Sequence, residues 1–302
     1  MEKVEYLGFP NCLKLSNGTV EAIVTTDVGP RIIRYGFVGG ENILGEFPDE
    51  KKPTPWGLWK PYGGHRLWAA PEADPRSYVP DNEPIQAVPL GDRAVRLIGK
   101  VEEGTGIQKD MTVELGNGPA LTVHHKITNR GLWGIDLAPW ALTVMNGIGG
   151  GTVILPQEPY ISHDDFLLPA RPLVMWHYTN LADPRWKIGP KFIRLSVDKN
   201  LAEPQKIGIA NKQGWAGYHH NDTLFVKYFA FEDEMEYADC GCNCETYTAK
   251  SFVEVETLGP IFRLEPDDSA DHIEQWFLHR DVKLGSAEDE IESAILPLIT
   301  RQ

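Results

Sequence analysis

Apolar and polar residues alternate in short runs along most of the chain, which is the period of a half-buried β-strand. The run "TVEAIVTTDVG" (19–29) is rich in Val and Thr, and "RIIRYGFV" (31–38) follows at once. The pattern returns in "RAVRLIGKVEE" (93–103), "KDMTVELGNGPALTVHHKITN" (109–129), "IDLAPWALTVM" (135–145), "KFIRLSV" (191–197), "TLFVKYFAF" (223–231) and "SFVEVETLG" (251–259). β-Branched and aromatic side chains of this kind fit a pleated surface. Gly116, Asn117 and Gly118 stand between two alternating runs and predict a hairpin. Helical periodicity is confined to "SAEDEIESAILPLITRQ" (286–302), where Ser286 can cap, acidic residues fill the first turn, and Ile291, Ala294 and Ile295 share a face up to Pro297. "SHDDFLLP" (162–169) predicts at most one turn, and "FPDEKKPTPWGLWKP" (47–61) an ordered loop anchored by Trp56 and Trp59. No internal repeat or linker interrupts the chain. The expectation is one all-β domain over residues 1–302, a large antiparallel β-sandwich with few short helices.

Composition narrows the partners more than the fold. The 29 Gly and 23 Pro are scattered, as turns between short strands require. Lys plus Arg total 29 against 43 Asp plus Glu, a net charge of −14. Such a surface repels phosphate backbones and anionic lipid, so neither nucleic acid nor a membrane is expected as partner. No run of about 18 apolar residues predicts a membrane span, and the N-terminus lacks a basic stretch followed by an apolar one. Four Cys in 302 residues do not make a disulfide scaffold. A cytoplasmic protein, monomer or homodimer, is the expectation. The cluster "CGCNCE" (240–245) spaces its thiols by one residue, unlike the wider pairs that hold zinc, so no metal and no other cofactor is expected.

Several segments, taken in order, resemble the galactose mutarotase-like family, which includes the aldose 1-epimerases. "DVGPRIIRYGFVGGENILGEF" (27–47) is similar to its opening hairpin, and "YGGHRLW" (62–68) to its His-Gly-Gly loop. "LTVHHKITNRGLWGIDLAPWALTVM" (121–145) resembles its central strand pair, "ETYTAKSFVEVETLGP" (245–260) the pair that presents its catalytic Glu, and "EQWFLHRDV" (274–282) its closing strand. The "GGHRLWxAPE" pattern is similar to that of an uncharacterised bacterial branch. The resemblance implies a β-supersandwich with a cleft for a small sugar or an oligosaccharide. It also implies that Glu254 takes the place of the catalytic Glu, with Glu256 in the position of a Gln. The chain departs from the family where the central catalytic His is replaced by the neighbourhood of Pro139 and Trp140. It departs again where the loop His becomes Tyr62, with His65 three residues later.

The residues themselves carry compatible chemistry. On a strand, Phe252, Glu254 and Glu256 share one face and Val253, Val255 and Thr257 the other. Two carboxylates about 7 Å apart on one face are too costly to bury unpaired, so that face is either solvated or a polar cleft with cationic partners. Anomer interconversion needs a base for the anomeric hydroxyl and an acid for the ring oxygen. Glu254 is the candidate base, with Glu256 as its alternate. His65 is the first candidate acid, followed by His177, His219 and His220. Arg66 suits sugar hydroxyls or a uronate carboxylate. Tyr62, Trp68, Trp140, His177 and His219 complete the candidate binding set. Three functions are compatible with these residues: an epimerase-like enzyme, a non-catalytic sugar-binding domain, and a relative of polysaccharide lyases or hydrolases.

Overall fold

A computed structural model of the protein describes residues 1–47 and 49–299. As the alternation predicts, strands dominate, and they form two large antiparallel sheets. The first sheet has eleven strands. From one edge they run Glu2–Tyr6, Phe9–Ser16, Val20–Val24, Ile32–Phe37, His65–Ala70, Ile135–Asn146, Phe252–Leu258, Cys244–Ala249, Gln205–Ile209 and Leu173–Met175, with Phe262–Leu264 branching onto Ile135–Asn146. The second sheet has ten strands, in the order Gln86–Pro89, Ala94–Val101, Ile107–Leu115, Ala120–Asn129, Ser269–His279, Thr223–Tyr228, Trp215–His220, Thr152–Pro156, Phe192–Ser196 and Trp186–Ile188.

The inner faces of the two sheets make one core. Leu15, Val24, Tyr35, Val253 and Val255 from the first sheet meet Leu97, Met111, Val123, Phe225 and Trp276 from the second. The Tyr35 and Trp276 rings lie 5.7 Å apart across the gap. The Gly116–Gly118 hairpin forms as expected, with Gly116 N–H donating to Ala120 O. The C-terminal helix is shorter than its periodicity predicts. It spans Glu288–Ile295 and passes into a single 3₁₀ turn at Leu296–Leu298, where Pro297 cannot donate the next bond. The last three residues of the predicted helix lie outside the described residues. Ile291 and Ile295 seal the outer side of the second sheet against Phe192, Trp215 and Val226. Among the described residues, no helix of that length packs on the outer face of the first sheet, and the candidate site lies there.

Within residues 49–61 the chain is more regular than a loop. Lys52–Thr54 pairs with Gly57–Trp59, and the resulting hairpin delivers Trp59 against Trp68 and Tyr78. The Gly63–Gly64 corner that follows is imposed by close approach. Both residues have positive φ, and a Cβ at either would meet backbone oxygen, Gly45 O at 2.1 Å and Ile32 O at 2.2 Å. The corner ends directly in the His65–Ala70 strand, which is buried along its whole length.

Candidate functional site

Strand alternation sorts "HRLWAA" into two environments. His65, Leu67 and Ala69 turn toward the second sheet, where Leu67 and Ala69 pack with Ile107 and Ile127. Arg66, Trp68 and Ala70 turn to the outer face, where Trp68 packs with Trp140. Strand register then lines up two rungs across the first sheet. One joins Arg66, Leu142, Glu256 and Glu245. The other joins Val144, Glu254, Tyr247 and Lys206. All of these except the fully buried Glu245 floor a cleft of about 430 Å³.

The cleft walls are aromatic. Trp59, Trp68 and Tyr78 form a mutually packed group, with ring centroids 5.2 to 5.7 Å apart. Trp140 joins through Trp68 at 5.3 Å. Trp176, Tyr178 and Phe252 also line the space. Aromatic faces of this kind suit the apolar face of a sugar ring while polar groups take its hydroxyls.

The charges on the floor are arranged in two clusters. Arg66 Nη2 lies 3.6 Å from Glu254 Oε1, and the guanidinium stacks 4.7 Å from the Trp68 ring centre. Arg66 is 5% exposed, and its Nε and Nη1 have no hydrogen-bond partner within the protein. Lys206 Nζ lies 2.9 Å from Glu256 Oε2 and 2.7 Å from Glu245 Oε2, between the faces of Trp140 and Trp176. Trp140 Nε1 donates to Glu256 Oε2 at 2.9 Å, while Glu256 Oε1 is unpartnered. Burial opposes the charge on Lys206, but Glu245 and Glu256 outweigh it and hold the ammonium well above the ordinary lysine value. Burial raises Glu254 to about 7; Arg66 opposes the rise and Glu256 adds to it. One cleft carboxyl therefore exchanges its proton near neutrality, the condition for acid-base work at that pH.

The predicted site residues divide accordingly. Arg66, Trp68, Trp140, Glu254 and Glu256 converge on the cleft. His65 does not; it is fully buried between the sheets. Tyr62 packs against Phe9 and Arg31, with its hydroxyl donating to Asn82, and is not among the lining residues. His177 is exposed, while its neighbours Trp176 and Tyr178 line the cleft. His219 and His220 belong to the second sheet and contact the carbonyls of Val282 and Gly150. Among the described residues, no His lines the cleft. Lys206, Tyr247, Trp59 and Tyr78 are lining residues that sequence reasoning missed, and it also missed Glu245, the buried partner of Lys206. A lone Lys in the otherwise apolar "KIGIA" (206–210) was the available signal for the first of them.

His65 belongs to a second polar cluster inside the sandwich. Lys227 Nζ donates to Thr143 Oγ1 at 2.6 Å and to Glu274 Oε1 at 2.8 Å. Trp276 Nε1 donates to Glu274 Oε2 at 2.8 Å, and the Thr257 hydroxyl donates to Glu274 Oε1. The histidines order themselves around these bonds. His125 Nδ1 faces the His272 carbonyl at 2.9 Å, which can only accept, so Nδ1 carries the proton. In the neutral ring, His125 Nε2 then accepts from His65 Nε2 at 2.7 Å, and His65 Nδ1 accepts from the Thr143 hydroxyl at 2.8 Å. Burial lowers His65 well below the usual imidazole value, His125 to about 4 and His272 to about 3.

His65, His125 and Glu274 also place one potential ligand atom each within 4.8 Å of one another. The geometry fits hydrogen bonds better than a shared ion. Two imidazole nitrogens on one tetrahedral zinc stand roughly 3.3 Å apart, given Zn–N bonds of about 2.0–2.1 Å. Here they are 2.7 Å apart, and a buried ammonium already holds the carboxylate.

Comparison with solved structures places this architecture. A protein from Synechocystis sp. PCC 6803 superposes with a TM-score of 0.58 at 11% identity, covering 93% of this chain and 100% of that one. A putative aldose 1-epimerase from Escherichia coli gives 0.54 at 13% identity, covering 89% and 99%. A galactose mutarotase-like protein from Lactobacillus casei gives 0.53 at 11% identity, covering 89% and 100%. No protein-family model matches the chain, and no curated protein matches it in sequence. The fold is therefore that of the galactose mutarotase-like proteins, a β-sandwich with few short helices.

Proposed function

We propose that residues 1–302 act as one sugar-binding domain and that the cleft moves protons at the anomeric centre of a small sugar. The observation that carries this reading is Glu254, a buried carboxyl raised to about 7 on the floor of an aromatic-walled cleft. The pyranose rests on Trp68 and Trp140, and Arg66 Nε and Nη1 supply donors for its hydroxyls.

Without a cleft His, one carboxyl can serve both roles. The anomeric oxygen and the ring oxygen are bonded to the same carbon, so they match the spacing of the two oxygens of one carboxyl group. The protonated oxygen of Glu254 gives its proton to the ring oxygen, while the other takes the anomeric hydroxyl proton. The bond from the anomeric carbon to the ring oxygen breaks, an aldehyde forms, and Glu254 ends protonated on its opposite oxygen. Rotation about the next carbon-carbon bond and the reverse step give the other anomer. This chemistry needs the neutral acid, which a group near 7 provides at physiological pH.

The test is magnetisation-transfer NMR of anomer exchange over a panel of aldoses and uronic acids. Wild type is expected to exceed the spontaneous rate for at least one sugar, and Glu254→Gln to return it to background. Equal rates for both proteins on every sugar would end the catalytic reading. A non-catalytic binding domain is the second reading, favoured by the absence of His among the described lining residues. Calorimetric binding without any rate increase would select it.

A further inference from the structure

Tyr247 stands between the two charged clusters of the cleft floor. In strand register it faces Glu254 on one side and Lys206 on the other, and all three residues line the cleft. Directly opposed residues of neighbouring strands hold their Cβ atoms roughly 4.5–5.5 Å apart. The Phe252 ring, two residues before Glu254 on the same strand face, packs on the phenol with ring centres 5.8 Å apart. The side chain is therefore held beside the carboxyl to which the proton transfers are assigned.

Its hydroxyl is left without a partner. Buried tyrosines normally find one for their O–H. Tyr6, Tyr35, Tyr62, Tyr78 and Tyr218 do so here, each donating to an oxygen of the protein. Among the described residues, the half-buried Tyr247 hydroxyl makes no hydrogen bond. Tyr178 also leaves its hydroxyl unpaired, but it is 41% exposed and open to water. Burial raises Tyr247 to about 12, with Glu254 and Glu256 adding to the rise and Lys206 opposing it. The phenol keeps its proton throughout the neutral range, so it serves as a donor and not as a base.

Ring opening creates an oxygen that needs such a donor. When Glu254 removes the anomeric hydroxyl proton, that oxygen becomes the aldehyde oxygen, and negative charge builds on it as the O–H bond breaks. A donor fixed in advance where charge develops stabilises the transition state more than the ground state. We propose that the Tyr247 hydroxyl donates a hydrogen bond to the anomeric oxygen as the ring opens and closes, which makes it a second catalytic residue beside Glu254. No proton leaves Tyr247, so both transferred protons remain those exchanged with Glu254. This inference rests on the proposed anomer exchange at Glu254.

Tyr247→Phe keeps the ring and removes only the hydroxyl. Because that hydroxyl has no partner in the fold, the variant is expected to unfold in urea at the wild-type midpoint. The test takes the aldose on which wild type is most active. It combines magnetisation-transfer rates at saturating sugar with calorimetry of that aldose and of its 1,5-anhydro derivative, which lacks the anomeric oxygen. The rate is expected to fall about 100-fold, the size of effect seen when one such donor is removed. Affinity for the aldose is expected to fall less than three-fold, and affinity for the anhydro sugar to stay at the wild-type value. A rate loss under ten-fold, with Glu254→Gln at background, overturns the role of Tyr247 and leaves Glu254 in place. An affinity loss as large as the rate loss, or one shared by the anhydro sugar, makes the hydroxyl an ordinary binding contact and also overturns it. A wild-type rate no faster than spontaneous exchange for every sugar overturns both this inference and the reading it rests on.

Discussion

His65 and Arg66 are adjacent in sequence and serve opposite faces of one sheet. The imidazole joins a hydrogen-bonded chain between the sheets, 2.7 Å from His125, and the guanidinium lies 3.6 Å from Glu254 in the cleft. A strand cannot aim consecutive side chains the same way, so only one of the two can meet a sugar. His65→Ala is therefore expected to cost stability and not chemistry. It opens a core cavity and strips partners from His125 Nε2 and Thr143, at about 2–4 kcal/mol in urea unfolding. Anomer-exchange rate per folded molecule should stay within two-fold of wild type. A larger rate loss in fully folded protein would return His65 to the chemistry.

Much of this division was available in the sequence. The period-2 pattern of "FVEVE" put Glu254 and Glu256 on one face, and they share the cleft floor. The same rule separates His65 from Arg66, but the Gly63–Gly64 pair made the stretch resemble a loop, where alternation carries no information. Strand begins at His65, immediately after the corner. Lys206, Glu245 and Tyr247 were harder to place for a different reason. Their roles depend on register between strands distant in the chain, such as Glu245 opposite Glu256 and Lys206 opposite Tyr247. Local periodicity shows which face a side chain takes and not which strand lies alongside it.

The core histidines give the fold an acid-sensitive element. In an unfolded chain each titrates near 6.5, whereas in the fold His125 and His272 titrate near 4 and 3. Between those values the unfolded state holds more protons, so their contribution is complete above about 6.5 and is lost as pH falls toward 4. Glu254, raised to about 7, works in the opposite sense over part of that range. Comparing wild type with His125→Gln cancels the Glu254 contribution. The stability gap between the two should shrink below pH 6.5, by about 1.4 kcal/mol per pH unit for one proton. A gap independent of pH would show that His125 is not held neutral in the fold.

Lys206 should be the most costly residue of the cleft floor to replace. It is the shared cation of Glu245 and Glu256, both fully buried. Lys206→Met leaves two carboxyls without their counter-charge, and breaking a buried pair in this way costs about 3–5 kcal/mol. Chemical denaturation measures the loss. Restoring charge balance by adding Glu245→Gln to Lys206→Met should recover part of it. Additive losses in the double variant would mean that the three groups do not act as one unit.

Trp140 combines a wall and a clamp, and the two roles can be separated. Its ring packs on Trp68 while Nε1 holds Glu256 at 2.9 Å. Trp140→Phe keeps an aromatic face and removes the donor, at about 1.5–3 kcal/mol for a hydrogen bond to a charged group. Trp140→Ala removes both. If stacking holds the sugar, calorimetry should show affinity falling at least ten-fold in Trp140→Ala and less than three-fold in Trp140→Phe. Equal losses would assign the effect to Glu256 rather than to the ring.

The protonation state of Glu254 decides between a one-carboxyl mechanism and ordinary base catalysis. If the neutral acid acts, the enzyme-dependent exchange rate at saturating sugar is highest below pH 7 and falls as pH rises through about 7, the value to which burial raises this group. If the carboxylate acts as base, the rate rises through the same point. Arg66 supplies a second handle, because its charge favours the ionised form of Glu254. Arg66→Met should raise Glu254 further and carry the descending limb to higher pH, even where sugar affinity drops. Magnetisation-transfer rates between pH 5.5 and 8.5, corrected for spontaneous exchange, measure both limbs. A wild-type rate that climbs through pH 7 would rule out the neutral carboxyl. A limb that does not move in Arg66→Met would show that the titrating group is not Glu254.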